Sequence, residues 1–110
     1  MVPLAYRAGY RVVVLNYRGM GKTELLNDRL YCGANSEDLC TGLKHIRSVH
    51  GADVKLVAVG ISLGSMLLGH YLISSGADSL VDSAVLVSNC WNSAEAADNM
   101  AHRGQCVLNR

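Results

Sequence analysis

The sequence predicts an α/β fold with a parallel sheet, and two observations lead to this prediction. Short, nearly continuous apolar runs with the composition of buried strands lie at 10–16, 54–60 and 83–88. Helical patterns alternate with them at 36–49, 63–75 and 92–102. Strands that alternate with helices form βαβ units, whose strands are parallel. We therefore expect a βαβαβ arrangement with helices on both faces of the sheet.

The helix predicted at 36–49 has recognisable ends. Ser36 is suited to the N-cap position, and Glu37 and Asp38 in the first turn are favoured by the helix dipole. Gly51 follows the last turn and can end the helix. The apolar side chains expected on its buried face are Leu39, Leu43, Ile46 and Val49.

Composition limits the class of protein. The chain has 110 residues, of which 50% are hydrophobic and 17% charged, so it has the composition of a globular domain. The net charge of +1 comes from scattered Lys and Arg, so we expect no nucleic-acid partner. The four cysteines form no CxxC pair and fit no zinc-binding spacing, which predicts reduced thiols in a reducing compartment, with no metal or cofactor.

One apolar run, 56–73, is long enough to be compared with a membrane span. Its first part is rich in β-branched residues and stops at Gly60. Its second part mixes leucine with glycine and serine. This change of composition predicts a buried strand followed by a helix.

The segment 16–23, NYRGMGKT, resembles a phosphate-binding loop after a strand. The full pattern, GxxxxGK[ST], requires glycine where Asn16 stands. The other predicted strands end without the carboxylate that would hold Mg²⁺. Nucleotide binding is therefore only a minor alternative, and the segment is interpreted as a turn with a solvated Lys22.

The strongest chemical signal is the segment 60–64, GISLG, which has the pattern GxSxG between a predicted strand and a predicted helix. In a nucleophile elbow the serine lies on a sharp, strained turn, so Ser62 is the predicted nucleophile. Gly60 and Gly64 are expected to come close together, so that a side chain at either position would clash. The backbone N–H of Leu63 is predicted to donate to the oxyanion.

A serine nucleophile needs a histidine base and an acid that orients it. His70 is carried about 12 Å down the helix that starts at Ser62, at ~1.5 Å per residue, and cannot reach it. Asp98 and His102 form a helix-face pair that we do not assign to a triad. Asp82 is expected at the end of the sheet opposite the elbow. We therefore expect the base, the acid and the second oxyanion donor outside this sequence.

Four segments stand in a fixed order along the chain: GYRVVVLNYRG at 9–19, YCGANSEDL at 31–39, VGISLGSMLLGHYL at 59–72 and Trp91-Asn92. Together they resemble the YheT-like branch of the α/β-hydrolases, which includes animal abhydrolase-domain esterases and phospholipases. The resemblance implies that residues 1–110 are a partial α/β-hydrolase domain, the central βαβαβ portion with the nucleophile elbow.

The resemblance further implies a serine hydrolase of carboxylic esters, with acylglycerol, phospholipid or short-chain ester substrates and no cofactor. It allows membrane association through segments absent from this sequence. The alternative is a non-catalytic, truncated hydrolase core that acts as an interaction protein through its exposed sheet edges.

Overall fold

The computed structural model describes residues 1–102, which fall into two compact units. The first, Met1–Tyr31, contains helix α1 (Val2–Arg7). The second begins at Cys32. Its elements, in chain order, are α2 (Glu37–His50), β1 (Val57–Ile61), α3 (Leu63–Ser75), a 3₁₀ turn (Gly76–Asp78), β2 (Ser83–Val87) and α4 (Ser93–His102).

The sheet of the second unit consists of β1 and β2, which are parallel and in register from Val57 opposite Ser83 to Ile61 opposite Val87. Helix α3 connects the two strands and packs against both. This is the predicted βαβ unit. The α/β class is therefore confirmed, and the carboxyl ends of both strands meet at one edge of the sheet.

The core lies where α2 and the C-terminal half of α3 meet the segment before β2. Leu43, Leu68, Tyr71 and Val81 are its buried members. The Tyr71 hydroxyl also accepts a hydrogen bond of 2.8 Å from the Leu80 N–H, which fastens this segment to α3. Burial of these side chains, each contributing about 1.5–3 kcal/mol, is what holds the helices on the sheet.

The opposite face of the sheet carries no helix within the described part of the second unit. Its apolar side chains are about half exposed: Val57, Val59, Ile61, Val85 and Val87. The prediction of helices on both faces is therefore not realised here. A single βαβ crossover places its helix on one face, and the other face needs a further crossover.

The strand predicted at 10–16 is not formed. This segment has no strand structure, and Val13, Val14 and Leu15 are all exposed. A strand requires hydrogen bonds to a neighbouring backbone, and residues 1–31 contain no second extended segment that pairs with it. The prediction of a strand from the apolar, β-branched composition of 10–16 is therefore wrong for the described structure.

Helix α2 begins and ends where the sequence predicted, but its N-terminal hydrogen bond comes from a different side chain. Ser36 is the N-cap residue, but its side chain makes no capping hydrogen bond. The Asn35 side-chain oxygen instead accepts a hydrogen bond of 2.8 Å from the Glu37 N–H. Gly51 ends the helix with a φ of +85°, a conformation that favours glycine. Val49, expected on the buried face, is exposed.

The apolar run 56–73 is divided between β1 and α3, as predicted. Within residues 1–102, no helix combines the length and apolar character needed to cross a membrane. Cys32, Cys40 and Cys90 are free thiols, and Cys106 lies outside the described residues.

Arg47 of α2 fastens the N-terminal edge of the sheet. Its guanidinium donates hydrogen bonds to the carbonyl oxygens of Leu80, at 2.6 and 2.9 Å, and Val54, at 2.6 Å. It also pairs with the Asp82 carboxylate at 2.8 Å. Asp82 therefore lies at the end of the sheet opposite Ser62, as predicted, and has a structural partner there.

The Asp82 carboxylate accepts three hydrogen bonds, which hold its pKa well below its usual range. The largest cause is the Leu56 N–H at 2.8 Å, followed by Arg47 and then by Lys55 at 3.0 Å. Its charged form is therefore favoured in the folded state. The resulting stabilisation is complete above the unfolded-state pKa of about 3.9 and is lost as pH falls through the lower folded-state pKa.

We expect Asp82→Asn to lower the free energy of unfolding at pH 7, because Arg47 and Lys55 lose their anionic partner. The difference from wild type should shrink as pH falls below about 4, because the wild-type carboxylate is then protonated in the unfolded state while it stays charged in the folded state. Urea denaturation at pH 7 and at stepwise lower pH measures both effects. Asp78→Asn, a change at a nearby exposed carboxylate, is the control. A difference that does not depend on pH would contradict this account.

Candidate active site

Ser62 occupies the sharp turn between β1 and α3. Its φ of +53° and ψ of −118° are rarely adopted by a residue with a side chain. The Ser62 N–H donates a hydrogen bond of 2.9 Å to the Val87 carbonyl oxygen, which holds the turn against the end of β2. The residue is exposed. A strained serine is thus presented to solvent at the carboxyl edge of the sheet.

The close approach predicted for the two glycines is found at one of them. A Cβ added to Gly60 would lie 2.5 Å from the Gly64 carbonyl oxygen and 2.7 Å from the Ser65 Cα. Both are backbone atoms that cannot move independently of the helix. A Cβ added to Gly64 would meet no atom within 4 Å. Position 60 therefore requires glycine for steric reasons. The clash that was expected at Gly64 is not found among the described residues.

Leu63 is the first residue of α3, directly after Ser62. N–H groups in the first turn of a helix have no partner within the helix. The Leu63 N–H is accordingly available for an external acceptor beside the serine. The positive end of the helix dipole lies at the same place and favours a negative charge there.

A buried hydrogen-bond network below the turn was not anticipated from the sequence. Ser65 is fully buried, and its Oγ lies 2.5 Å from the Ser62 carbonyl oxygen and 3.0 Å from the Asn89 Oδ1. Asn89 follows β2, directly after Ser88, which also has a positive φ of +53°. The sequence offered only a weak sign of this network: Ser65 is a polar residue in an apolar helix, and Asn89 is a polar residue after an apolar strand.

The four histidines lie on helices: His45 and His50 on α2, His70 on α3 and His102 on α4. His70 lies on α3 itself and is exposed, as expected from its spacing. Asp98 and His102 are both on α4, and the His102 side chain is outside the described part of the structure. Within residues 1–102, no group of three or more His, Cys, Asp or Glu side chains is arranged to hold a metal ion.

The segment 16–23 forms turns, with hydrogen bonds of 3.1 Å from the Met20 N–H to the Tyr17 oxygen and 3.0 Å from the Thr23 N–H to the Met20 oxygen. No helix follows it before Tyr31. A phosphate-binding loop requires a helix N-terminus directly after its lysine. The described structure therefore gives the nucleotide-binding alternative no support, and it agrees with the interpretation of this segment as a turn.

Comparison with known families identifies this strand–serine–helix arrangement. The profile of the alpha/beta hydrolase fold family matches residues 1–105. The chain belongs to that family. The resemblance to the α/β-hydrolases described above is confirmed at this level.

Relatives of this alpha/beta hydrolase include Phospholipase ABHD3 of Homo sapiens, 37% identical over 100 residues. The Medium-chain fatty acid ethyl ester synthase/esterase 2 of Saccharomyces cerevisiae is 32% identical over 92 residues. The Escherichia coli protein YheT is 33% identical over 88 residues. These alignments cover 91%, 84% and 80% of this chain. No solved structure gives a significant match.

The alpha/beta hydrolase chain spans about a quarter of the length of the curated relatives it matches. The aligned part is 24% of the human phospholipase, 20% of the yeast protein and 26% of YheT. The matched region includes the strand, the turn and the helix around Ser62.

Proposed function

We propose that the protein is a serine hydrolase of carboxylic esters that works through an acyl-Ser62 intermediate. One observation carries the proposal: Ser62 is exposed and strained at the turn between β1 and α3, at the carboxyl edge of a parallel sheet. Such strain costs about 1–3 kcal/mol and persists at functional sites where the turn presents a reactive side chain. Membership of the alpha/beta hydrolase family supports this role.

In the proposed reaction, the Ser62 Oγ attacks the ester carbonyl carbon and transfers its proton to a general base. The carbonyl oxygen becomes an oxyanion, which the Leu63 N–H and the start of α3 stabilise. The carbon–oxygen bond of the ester then breaks, and the alcohol leaves with the proton from the base. Water attacks the acyl-serine in the same way and releases the acid.

The proposal assigns the base and its acid to residues outside this sequence, because His70, the histidine that follows Ser62 on the same helix, is carried away from it along the axis of α3. The chain would thus contribute the nucleophile and one oxyanion donor to a larger site. A serine without a base is a weak nucleophile. We therefore expect residues 1–110 alone to be inactive or nearly so.

The proposed substrates are fatty-acyl esters, which include acylglycerols, phospholipids and short-chain esters. The support comes from the names of two relatives, a phospholipase and a synthase/esterase of medium-chain fatty acid ethyl esters. The proposed reaction needs no metal or redox cofactor. Any membrane attachment is assigned to segments outside this sequence.

A fluorophosphonate probe tests the proposal, because an activated serine displaces its fluoride and forms a serine–phosphorus bond. We expect the full-length natural protein to be labelled at Ser62, within the tryptic peptide that follows Lys55 and ends at Arg103. Tandem mass spectrometry must locate the label, since this peptide contains other serines. Heat-denatured protein is the control and should not react.

Recovery of this peptide without label, from folded protein, would overturn the proposal. The non-catalytic interaction protein would then be favoured, in agreement with the half-exposed apolar sheet face of Val59, Ile61 and Val85. Labelling at another serine in the same peptide would keep the reaction class and move the nucleophile.

A further inference from the structure

Ser65 has an environment that a serine rarely has on an apolar helix. Its exposed fraction is 0%, lower than that of the buried apolar side chains of the core, and it is polar. A buried hydroxyl must be hydrogen-bonded to offset the loss of water. The Ser65 Oγ lies 2.5 Å from the Ser62 carbonyl oxygen and 3.0 Å from the Asn89 Oδ1.

The carbonyl that Ser65 contacts is one end of the peptide group whose other end is the Leu63 N–H. That peptide is planar and trans, so the direction of the Ser62 carbonyl fixes the opposite direction of the Leu63 N–H. The carbonyl also accepts hydrogen bonds of 2.9 Å from the Ser65 N–H and 3.2 Å from the Met66 N–H. With the single Ser65 hydroxyl proton assigned to the shorter of its two contacts, three donors point the Ser62 carbonyl into the helix.

Hydrogen bonds accepted by an amide carbonyl polarise the amide and make its N–H a stronger donor. A hydroxyl that donates to the Ser62 carbonyl therefore acts on the Leu63 N–H through one peptide bond. It needs no contact with substrate. Any group bound to the Leu63 N–H would be held by a stronger hydrogen bond, and the effect would be largest for an oxyanion.

Asn89 ties this arrangement to the second strand. It follows the strained Ser88 at the carboxyl end of β2, whose last residue, Val87, accepts the Ser62 N–H. The turn at Ser62 is thus held from both sides, at its N–H by Val87 and at its carbonyl by Ser65. The bond to Val87 holds the Ile61–Ser62 peptide, and the bonds to the Ser62 carbonyl hold the Ser62–Leu63 peptide.

A common serine–carbonyl bond in the same helix shows what is unusual about Ser65. The Ser74 hydroxyl donates to the Tyr71 carbonyl oxygen at 3.0 Å, which is the ordinary bond to the carbonyl three residues earlier. Ser74 is exposed, and its carbonyl partner has no link to the turn. Ser65 makes the same bond while buried, with a second polar neighbour, to the carbonyl of the proposed nucleophile.

We infer that Ser65 is a positioning residue whose buried hydroxyl orients and polarises the Ser62–Leu63 peptide, and thereby strengthens the Leu63 N–H as the oxyanion donor. The inference rests on the proposed function. It assigns to Ser65 a contribution to the transition state, where the oxyanion exists, and none to binding of the ground-state ester.

The test compares Ser65→Ala with wild type and with Ser74→Ala, which removes the matching bond at the other end of α3. We expect Ser65→Ala to lower kcat for a soluble ester roughly tenfold with KM unchanged, a smaller loss than removal of an oxyanion donor itself. Inhibition by a trifluoromethyl ketone, which forms an oxyanion on the serine, should weaken by the same factor. Ser74→Ala should change neither quantity.

The full-length natural protein is used, and each rate is referred to the folded fraction measured by urea denaturation. Ser65→Cys keeps a side chain of similar size with a weaker donor, so its kcat should lie between those of wild type and Ser65→Ala. If Ser65→Ala does not fold, the kcat of Ser65→Cys alone tests the inference.

The outcomes separate the inference from the proposed function. Wild-type and Ser65→Ala proteins with equal kcat and equal inhibitor affinity would overturn the inference and leave the Ser62 mechanism intact. A change in KM with constant kcat would overturn it as well. Absence of any reaction at Ser62 in folded wild type would overturn the proposed function, and the inference with it.

Discussion

Glycine in place of Ser62 is expected to abolish ester hydrolysis while it stabilises the protein. The hydroxyl is lost, so kcat should fall by more than about 10⁴-fold, as for serine nucleophiles in general. The φ of +53° costs a residue with a side chain free energy that glycine does not incur. We expect the free energy of unfolding to rise by about 1 kcal/mol. Ester turnover and urea denaturation measure the two effects.

Ser62→Ala is the matched control for that experiment. Alanine also lacks the nucleophile but keeps the Cβ and therefore the backbone strain. It should be as inactive as Ser62→Gly, with a stability close to that of wild type. Two variants of equal stability would show that the turn stores no strain. Activity retained in either variant would show that Ser62 is not the nucleophile.

Gly60→Ala is expected to be strongly destabilising. Its Cβ would lie 2.5 Å from the Gly64 oxygen and 2.7 Å from the Ser65 Cα, so β1 and α3 would have to separate. Overpacking of this kind costs about 1–3 kcal/mol. The displaced helix would also move the Leu63 N–H, and activity should fall with stability. Urea denaturation and fluorophosphonate labelling of the same preparation measure both.

Gly64→Ala provides a control that adds the same methyl group on the helix side of the turn, in α3. Its Cβ meets no atom within 4 Å, and alanine favours the helix by about 1 kcal/mol over glycine. Stability should therefore be unchanged or slightly higher. Destabilisation of Gly64→Ala equal to that of Gly60→Ala would contradict the described geometry of the turn.

The parts of the fold that follow from local sequence were predictable. The β-branched patch that ends at Gly60, followed by Ser62 and an apolar helix, indicated the strand, the turn and the helix of the site. These three elements are adjacent in sequence, and each has its own pattern. The βαβ unit and the motif at its centre could therefore be predicted together.

The parts that depend on distant pairing were not predictable. Ser65 and Asn89 are 24 positions apart, and Arg47 and Asp82 are 35 positions apart. Nothing local in the sequence marks either pair. The segment 10–16 shows the same limit from the other side, because its composition favours a strand while pairing depends on a neighbour that composition does not specify.

The Arg47–Asp82 pair and Ser62 lie at opposite ends of the strands. Their contributions to the free energy of unfolding should therefore be independent of each other. The strands between them are five residues long, or about 16 Å at ~3.3 Å per residue. Substitutions farther apart than about 7–10 Å without shared partners usually have additive effects. The stability lost to the strained serine at one end of the strands can therefore be offset by the ion pair at the other end. A substitution at one end should not change the effect of a substitution at the other.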